Sequence, residues 1–167
     1  AFDPSIQPLW PAAAQGKPVA AQPSSNWSSL RFDSHEVTFD AVDSSEMALT
    51  LNGIAQGAVT DRIAEVLRDH NLTDVLIDMG EISARGQNAV DTPWRVGVAA
   101  PDGRVVNRVS LSNRALATSS PDVPDYSGAV RRHILPPTAK HQIHHSLVSI
   151  SAPTAAVADG LSTACCL

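Results

Sequence analysis

One change of apolar period constrains the fold of this chain more than any other feature. Before Gly53, apolar residues recur at every second position in short runs: Ser29 to Asp33, Glu36 to Phe39 and Met47 to Leu51, bounded by Asp and Ser. Such runs predict a strand meander. From Gly53 onward, Ile54, Ala55, Ala58, Val59, Ile63 and Leu67 fall on one stripe at the spacing of a helix, with Asp61, Arg62, Arg68 and Asp69 mostly on the other side. Asn52 is expected to cap this helix and Asn71 to follow its last turn. Period two then returns. Asp74 to Asp78, Trp94 to Ala99, Arg104 to Leu111, Arg114 to Thr118 and Ser146 to Ser151 are predicted strands, with a turn at Pro101-Asp102-Gly103. A closing helix is expected from about Pro153 to Cys166. The outline is an α+β fold of antiparallel sheets with packed helices.

Length and composition narrow the function classes. A chain of 167 residues suits one domain, and 43% hydrophobic against 17% charged residues leaves enough apolar material for a core. The formal net charge of -5 argues against a general nucleic-acid binder, which needs a basic face to displace phosphate counterions. No apolar run approaches the roughly 18–20 residues that cross a bilayer, and the start does not read as a signal peptide. Pro4, Pro8, Pro11, Pro18 and Pro23 restrict the stretch from Ala1 to about Trp27 to short helical or extended pieces. Cys165 and Cys166 are adjacent, a poor geometry for a disulfide, and read as two buried small side chains on the closing helix.

Three groups could carry chemistry. Leu51-Asn52-Gly53-Ile54-Ala55-Gln56-Gly57 is a small-residue turn opening the long helix, where unpaired N–H groups and a partial positive charge suit phosphate or a phosphate-bound metal. Asp159 and Thr163, at i and i+4 on the closing helix, place a carboxylate and a hydroxyl on one side; with a carbonyl from elsewhere they suit a hard cation such as Mg2+. The third group runs from Arg131 through His133 to Thr138, followed by His141, His144 and His145. The last three have metal-compatible spacing if helical, but in a short polar connection without a carboxylate they read as a solvated loop. His133, between Arg132 and a proline-stiffened apolar segment, could stack on a planar ligand. No GxSxG, Walker-type phosphate loop, HExxH or paired CxxC occurs.

Taken in order, five segments resemble the ApbE-type flavin transferases (FAD:protein FMN transferases). Ala1-Phe2-Asp3-Pro4-Ser5 with Pro8-Leu9-Trp10 is similar to the family's AFDPT…PL segment. Met47 to Gly57 is similar to its DLGGIAKG stretch, followed by Asp61-Arg62. Asp74 to Gly86 resembles its strand-and-glycine segment, with Pro93 to Gly97 after it. Ala115 to Ser119 precedes His133-Ile134-Leu135, which resembles the HIIDPRTG motif, and Ser146 to Ala164 resembles the SVTVIAP…AD…T ending. Four positions depart from the pattern: Thr50 stands for the usual Asp, Gln56 for Lys, Pro136 for the Asp of HIIDP and Ala139 for the Gly of its TG.

The resemblance implies a single ApbE-like (T-fold-like) domain over residues 1–167, the C-terminal portion of the family pattern and incomplete at both ends. It would be a fragment, one piece of a nicked protein with a missing N-terminal segment or companion fragment, or a reduced homologue. The implied activity is Mg2+-dependent transfer of FMN from FAD to a Thr or Ser hydroxyl of a flavin-acceptor protein subunit (Rnf/Nqr-like), releasing AMP, in the periplasm or at the cell envelope. The alternatives are a non-catalytic flavin-binding relative or partner subunit, and an FAD pyrophosphatase yielding FMN and AMP. By resemblance, Ala1, Phe2, Asp3, Thr50, Gln56, His133 and Leu135 would contact FAD, and His133 would also assist proton movement as the catalytic residue. The metal would be held by the carbonyl of Gly53 and by Asp159 and Thr163, with Ser162 beside them.

Overall fold

A four-stranded antiparallel sheet separates two helices from a two-stranded hairpin. The computed structural model describes residues 30–39, 50–124, 130–134 and 143–167. The elements are β1 (Leu30–Phe32), β2 (Val37–Phe39), α1 (Ala55–Asp69), β3 (Val75–Asp78), β4 (Ile82–Arg85), β5 (Trp94–Ala99), β6 (Val105–Leu111), β7 (Arg114–Ser119), β8 (Asp122–Pro124), β9 (Val130–Arg132), β10 (Val148–Ala152) and α2 (Ala155–Ala164). The central sheet has the order β10-β7-β4-β3; β1-β2, β5-β6 and β8-β9 form separate antiparallel pairs. Of the strand expected at Met47 to Leu51, Thr50 and Leu51 are not in a strand, and the rest lies outside the described residues.

Strand alternation decides which element covers which face of the sheet. In β7, Ala115 and Ala117 join Ala152, Ala155 and Ala158 in one buried cluster, so this face receives α2. Leu116 points the other way and joins Ala84, Val96, Val98 and Leu111 beneath the β5-β6 hairpin, with Trp94 and Leu147 packed against them. Gly103, at φ +81, closes that hairpin, its N–H bonding to the Ala100 carbonyl at 2.8 Å. Register sets the direction of β4: Ser83 pairs with Ala115 and Ile82 with Leu116. The helix-facing row running into β4 is therefore Glu81, Ser83 and Arg85, all polar, and for that reason β4 was not evident as a strand.

The long helix buries a different stripe from the one its apolar residues predict. Gly57, Thr60 and Ala64 face inward; of the predicted stripe, Ile54, Ile63 and Leu67 are half-buried and Ala55, Ala58 and Val59 are exposed. The cause is the closeness of α2: a Cβ on Gly57 would lie 2.6 Å from the Ala155 carbonyl carbon and 2.7 Å from the Ala156 Cα. Only small side chains fit such a crossing, so size rather than hydropathy defines the buried face. The helix also starts later than expected. Ile54, not Asn52, is the cap, and its hydrocarbon side chain makes no capping bond; the Leu51 carbonyl accepts the N–H groups of Ile54 and Ala55 instead (3.0 and 2.9 Å). At the other end Asn71 takes φ 62, and the Leu72 N–H reaches the Leu67 carbonyl at 2.9 Å, a Schellman closure.

Asp61, placed by its spacing on the solvent side, is half-buried and caps the second helix. Its Oδ1 accepts from the Ala155 N–H at 2.8 Å and its Oδ2 from the Ala156 N–H at 2.9 Å, with the Arg85 guanidinium 3.6 Å away. Helix starts expose unpaired donors, and a side-chain cap contributes roughly 0.5–2 kcal/mol. Asp61 therefore joins α1, α2 and β4 at a single point.

Candidate active site

The site is assembled where the start of α1 meets the middle of α2. The turn before α1 buries Gly53. Thr50, half-buried, accepts the Asn52 N–H on Oγ1 at 3.2 Å and so shapes this turn. In the first turn of α1, the Gly57 N–H has no intrahelical acceptor. It donates instead to Asp159 Oδ2, at 3.0 Å and 102 positions along the chain. Beside it, a Cβ on Gly160 would meet Ile54 Cγ2 at 3.0 Å and lie 3.9 Å from the Gly53 carbonyl oxygen. Gly53 and Asp159 thus converge across the helix pair. The carboxyl of Asp159 is buried, which raises its pKa, and the Gly57 N–H opposes that rise.

One turn further along α2, the hydroxyls form an ordered chain. Ser162 donates to the Asp159 carbonyl at 3.0 Å. With its proton committed, Ser162 accepts from Ser119 at 2.7 Å, and Ser119 in turn accepts from Thr163 at 3.2 Å. Cys166 packs below, buried, its thiol bonded to the Ser162 carbonyl at 3.3 Å, whereas Cys165, expected to be buried as well, is exposed because the helix has ended at Ala164. This direction of donation turns Ser162 into the fold and leaves the lone pairs of the Thr163 oxygen free of the chain. Ser119, the last residue of β7, was missed by the sequence reading because nothing in its local context marks it.

Gln56 and Glu81 close the other side. Gly80 adopts φ +99, a conformation open mainly to glycine, and the Gln56 amide nitrogen sits only 2.8 Å from where its Cβ would be. Gln56 therefore lies over the β3-β4 turn. Glu81, next to Gly80, is 6% exposed. Burial first, then the charge of Asp159, pushes its pKa up to about 7, against an opposing backbone N–H of Thr118. The sequence reading did not single out Glu81.

The remaining candidates lie apart or outside the described residues. His133 is at the surface after β9, its N–H bonded to the Pro121 carbonyl at 3.0 Å, while Ile134 behind it is buried. Desolvation lowers the pKa of His133, against the Pro121 carbonyl and Asp122. No hydrogen bond or ion pair among the described residues joins His133 to Asp159. His144 and His145 are exposed, and His141 lies outside the described residues, as do Ala1, Phe2, Asp3 and Leu135.

The donor set suits a hard cation better than a soft one. Among the described residues no three His, Cys, Asp or Glu side chains gather as a metal cluster. The groups available at the start of α1 and along α2 are oxygens instead: the Gly53 carbonyl, the Asp159 carboxylate and the Thr163 hydroxyl. That is the chemistry of Mg2+, which takes few protein oxygens and keeps several waters.

Comparison with known proteins agrees with this arrangement of elements. The fold is shared with the ApbE protein of Thermotoga maritima, with a TM-score of 0.74 at 24% identity over 97% of this chain and 58% of that one. It is also similar to the flavinyl transferase ApbE of Pseudomonas stutzeri, with a TM-score of 0.64 at 27% identity over 84% of this chain and 46% of that one. The ApbE family matches residues 1–167, and the chain belongs to that family. Among curated proteins it is 34% identical to the FAD:protein FMN transferase of Haemophilus influenzae over 131 residues, which are 71% of this chain and 37% of that protein. It is 30% identical to the one of Salmonella typhimurium, over 72% of this chain and again 37% of that protein. The chain therefore spans little more than a third of the length of these relatives.

Proposed function

We propose that these residues form the cation-binding half of an FAD:protein FMN transferase active site. The observation that carries this reading is the bond from the Gly57 N–H to Asp159 Oδ2, which ties a carboxylate of α2 to the first turn of α1, while Gly160 next to it packs against the turn of Gly53 and Ile54. In the proposed reaction, a Ser or Thr hydroxyl of an acceptor protein attacks the FMN-side phosphorus of FAD. One P–O bond forms, the P–O bond to AMP breaks, and the hydroxyl proton is lost. Bound Mg2+ supplies charge neutralisation at the diphosphate.

The chain's own residues position. Gly53 and Asp159 would hold the cation, Thr163 would offer a third oxygen, and the helix start at Ile54 would favour negative charge there. Gln56, over the β3-β4 turn, would offer its amide to a phosphate or ribose oxygen. His133 is the group this reading assigns to the proton; its lowered pKa keeps the ring neutral at physiological pH and able to accept.

Incubating the protein with FAD, Mg2+ and a flavin-acceptor protein is expected to give a fluorescent acceptor on a denaturing gel. Asp159→Asn is expected to reduce labelling by about 100-fold or more. Undiminished labelling by that variant would overturn the reading. AMP release without labelled acceptor would make water the acceptor instead.

A further inference from the structure

Glu81 stands in the fold as a carboxylate without a full set of partners. Its Oε2 is buried and has no hydrogen-bond partner, in a side chain only 6% exposed. Unpaired buried oxygens of this kind are rare and costly, more so for a group that can carry charge. Its direction follows from strand register. Ser83, two residues on, pairs with Ala115 on the helix-facing side, and Arg85, two further, reaches Asp61 on α1. Glu81, which precedes β4 with the same parity, lies on the helix side of the sheet.

Three observations place its carboxyl at the junction already described. Gln56 of α1 covers the adjacent Gly80, and Gln56 directly precedes the Gly57 that binds Asp159. The Thr118 N–H is directed at the Glu81 carboxyl, and the next residue, Ser119, holds Thr163 and Ser162. Among neighbouring charges Asp159 acts on Glu81 most strongly, ahead of Asp78. No salt bridge among the described residues involves Glu81 or Asp159. Glu81 has a buried oxygen without a partner, and neither it nor Asp159 is held by a basic side chain among the described residues, so a donor from outside the chain would satisfy that oxygen.

We infer that Glu81 is a positioning residue of the cation site: its Oε2 accepts a hydrogen bond from the hydration water of the divalent cation that Gly53 and Asp159 hold. The inference rests on the cation reading proposed above and adds to it a carboxylate that orients the cation without displacing its water. Partners of this kind commonly change metal affinity by about 10–100-fold.

The test is Mn2+ affinity, read from the EPR signal of free Mn2+ in the presence of FAD, for the unmodified protein, Glu81→Gln and Asp159→Asn. Glu81→Gln is expected to weaken binding by at least about tenfold, and Asp159→Asn by more. Affinity of Glu81→Gln within about twofold of the unmodified protein, with binding lost in Asp159→Asn, overturns the role of Glu81 and leaves the cation site standing. Failure of the unmodified protein to bind Mn2+ removes both. Because a buried substitution can cost folding, the unmodified protein labelled with 13C at glutamate carboxyls gives a second readout. Mg2+ is expected to shift the Glu81 resonance, and an unmoved resonance at saturating Mg2+ overturns the inference.

Discussion

Replacing Gly57 with alanine is expected to destabilise the protein by about 3 kcal/mol or more, although alanine is the better helix former by about 1 kcal/mol. The methyl group would enter the backbone of α2, against the Ala155 carbonyl group and 2.7 Å from the Ala156 Cα. No flexible side chain stands there to move aside. The helices must separate or α1 must rotate, and either movement withdraws the Gly57 N–H from Asp159 and the Asp61 oxygens from the start of α2. Stability and cation affinity should fall together. Urea denaturation of Gly57→Ala checks this: a midpoint equal to that of the unmodified protein would mean that the helices do not cross at Gly57.

Stability should also fall as pH rises, chiefly through one side chain. Glu81 has an ordinary carboxyl value of 4.5 when unfolded and about 7 in the fold. Between those values the native state holds a proton that the unfolded state has released, so its contribution is fully present below about pH 4.5 and lost as pH passes about 7. Each pKa unit is worth about 1.4 kcal/mol, so the swing is on the order of 3 kcal/mol. Asp159, raised chiefly by burial, adds in the same direction. Urea unfolding at about pH 5 and about pH 8 without divalent cations should show the loss, and Glu81→Gln should remove most of it. Equal slopes in the two proteins would place the titration elsewhere. Saturating Mg2+ is expected to offset the loss, because a ligand that binds only the folded state adds stability.

What could be read from the sequence follows from where local pattern and tertiary role coincide. Trp94–Ala99 matches its predicted limits because Val96 and Val98 are buried while Arg95, Gly97 and Ala99 are exposed. The opposite happens at Ile82–Arg85. The helix-facing row that runs into it is Glu81, Ser83 and Arg85, polar yet buried or half-buried, so the usual contrast is lost. β8 (Asp-Val-Pro) ends in a proline and β9 (Val-Arg-Arg) in two arginines, so neither shows an apolar alternation. Gly53, Asp159 and Thr163 could be proposed from motif order and helical spacing. Asp61, Glu81 and Ser119 could not, because their partners lie on other elements and no spacing along the chain encodes those contacts.

The account depends on one cation lying between the start of α1 and the middle of α2. Anomalous diffraction from crystals grown with FAD and Mn2+ tests this most directly. The expected result is a peak bounded by the Gly53 carbonyl, the Asp159 carboxylate and the Thr163 hydroxyl, with Glu81 facing it and the FAD diphosphate alongside. Ordered FAD with its diphosphate away from Asp159, and no peak between the two helices, would contradict it.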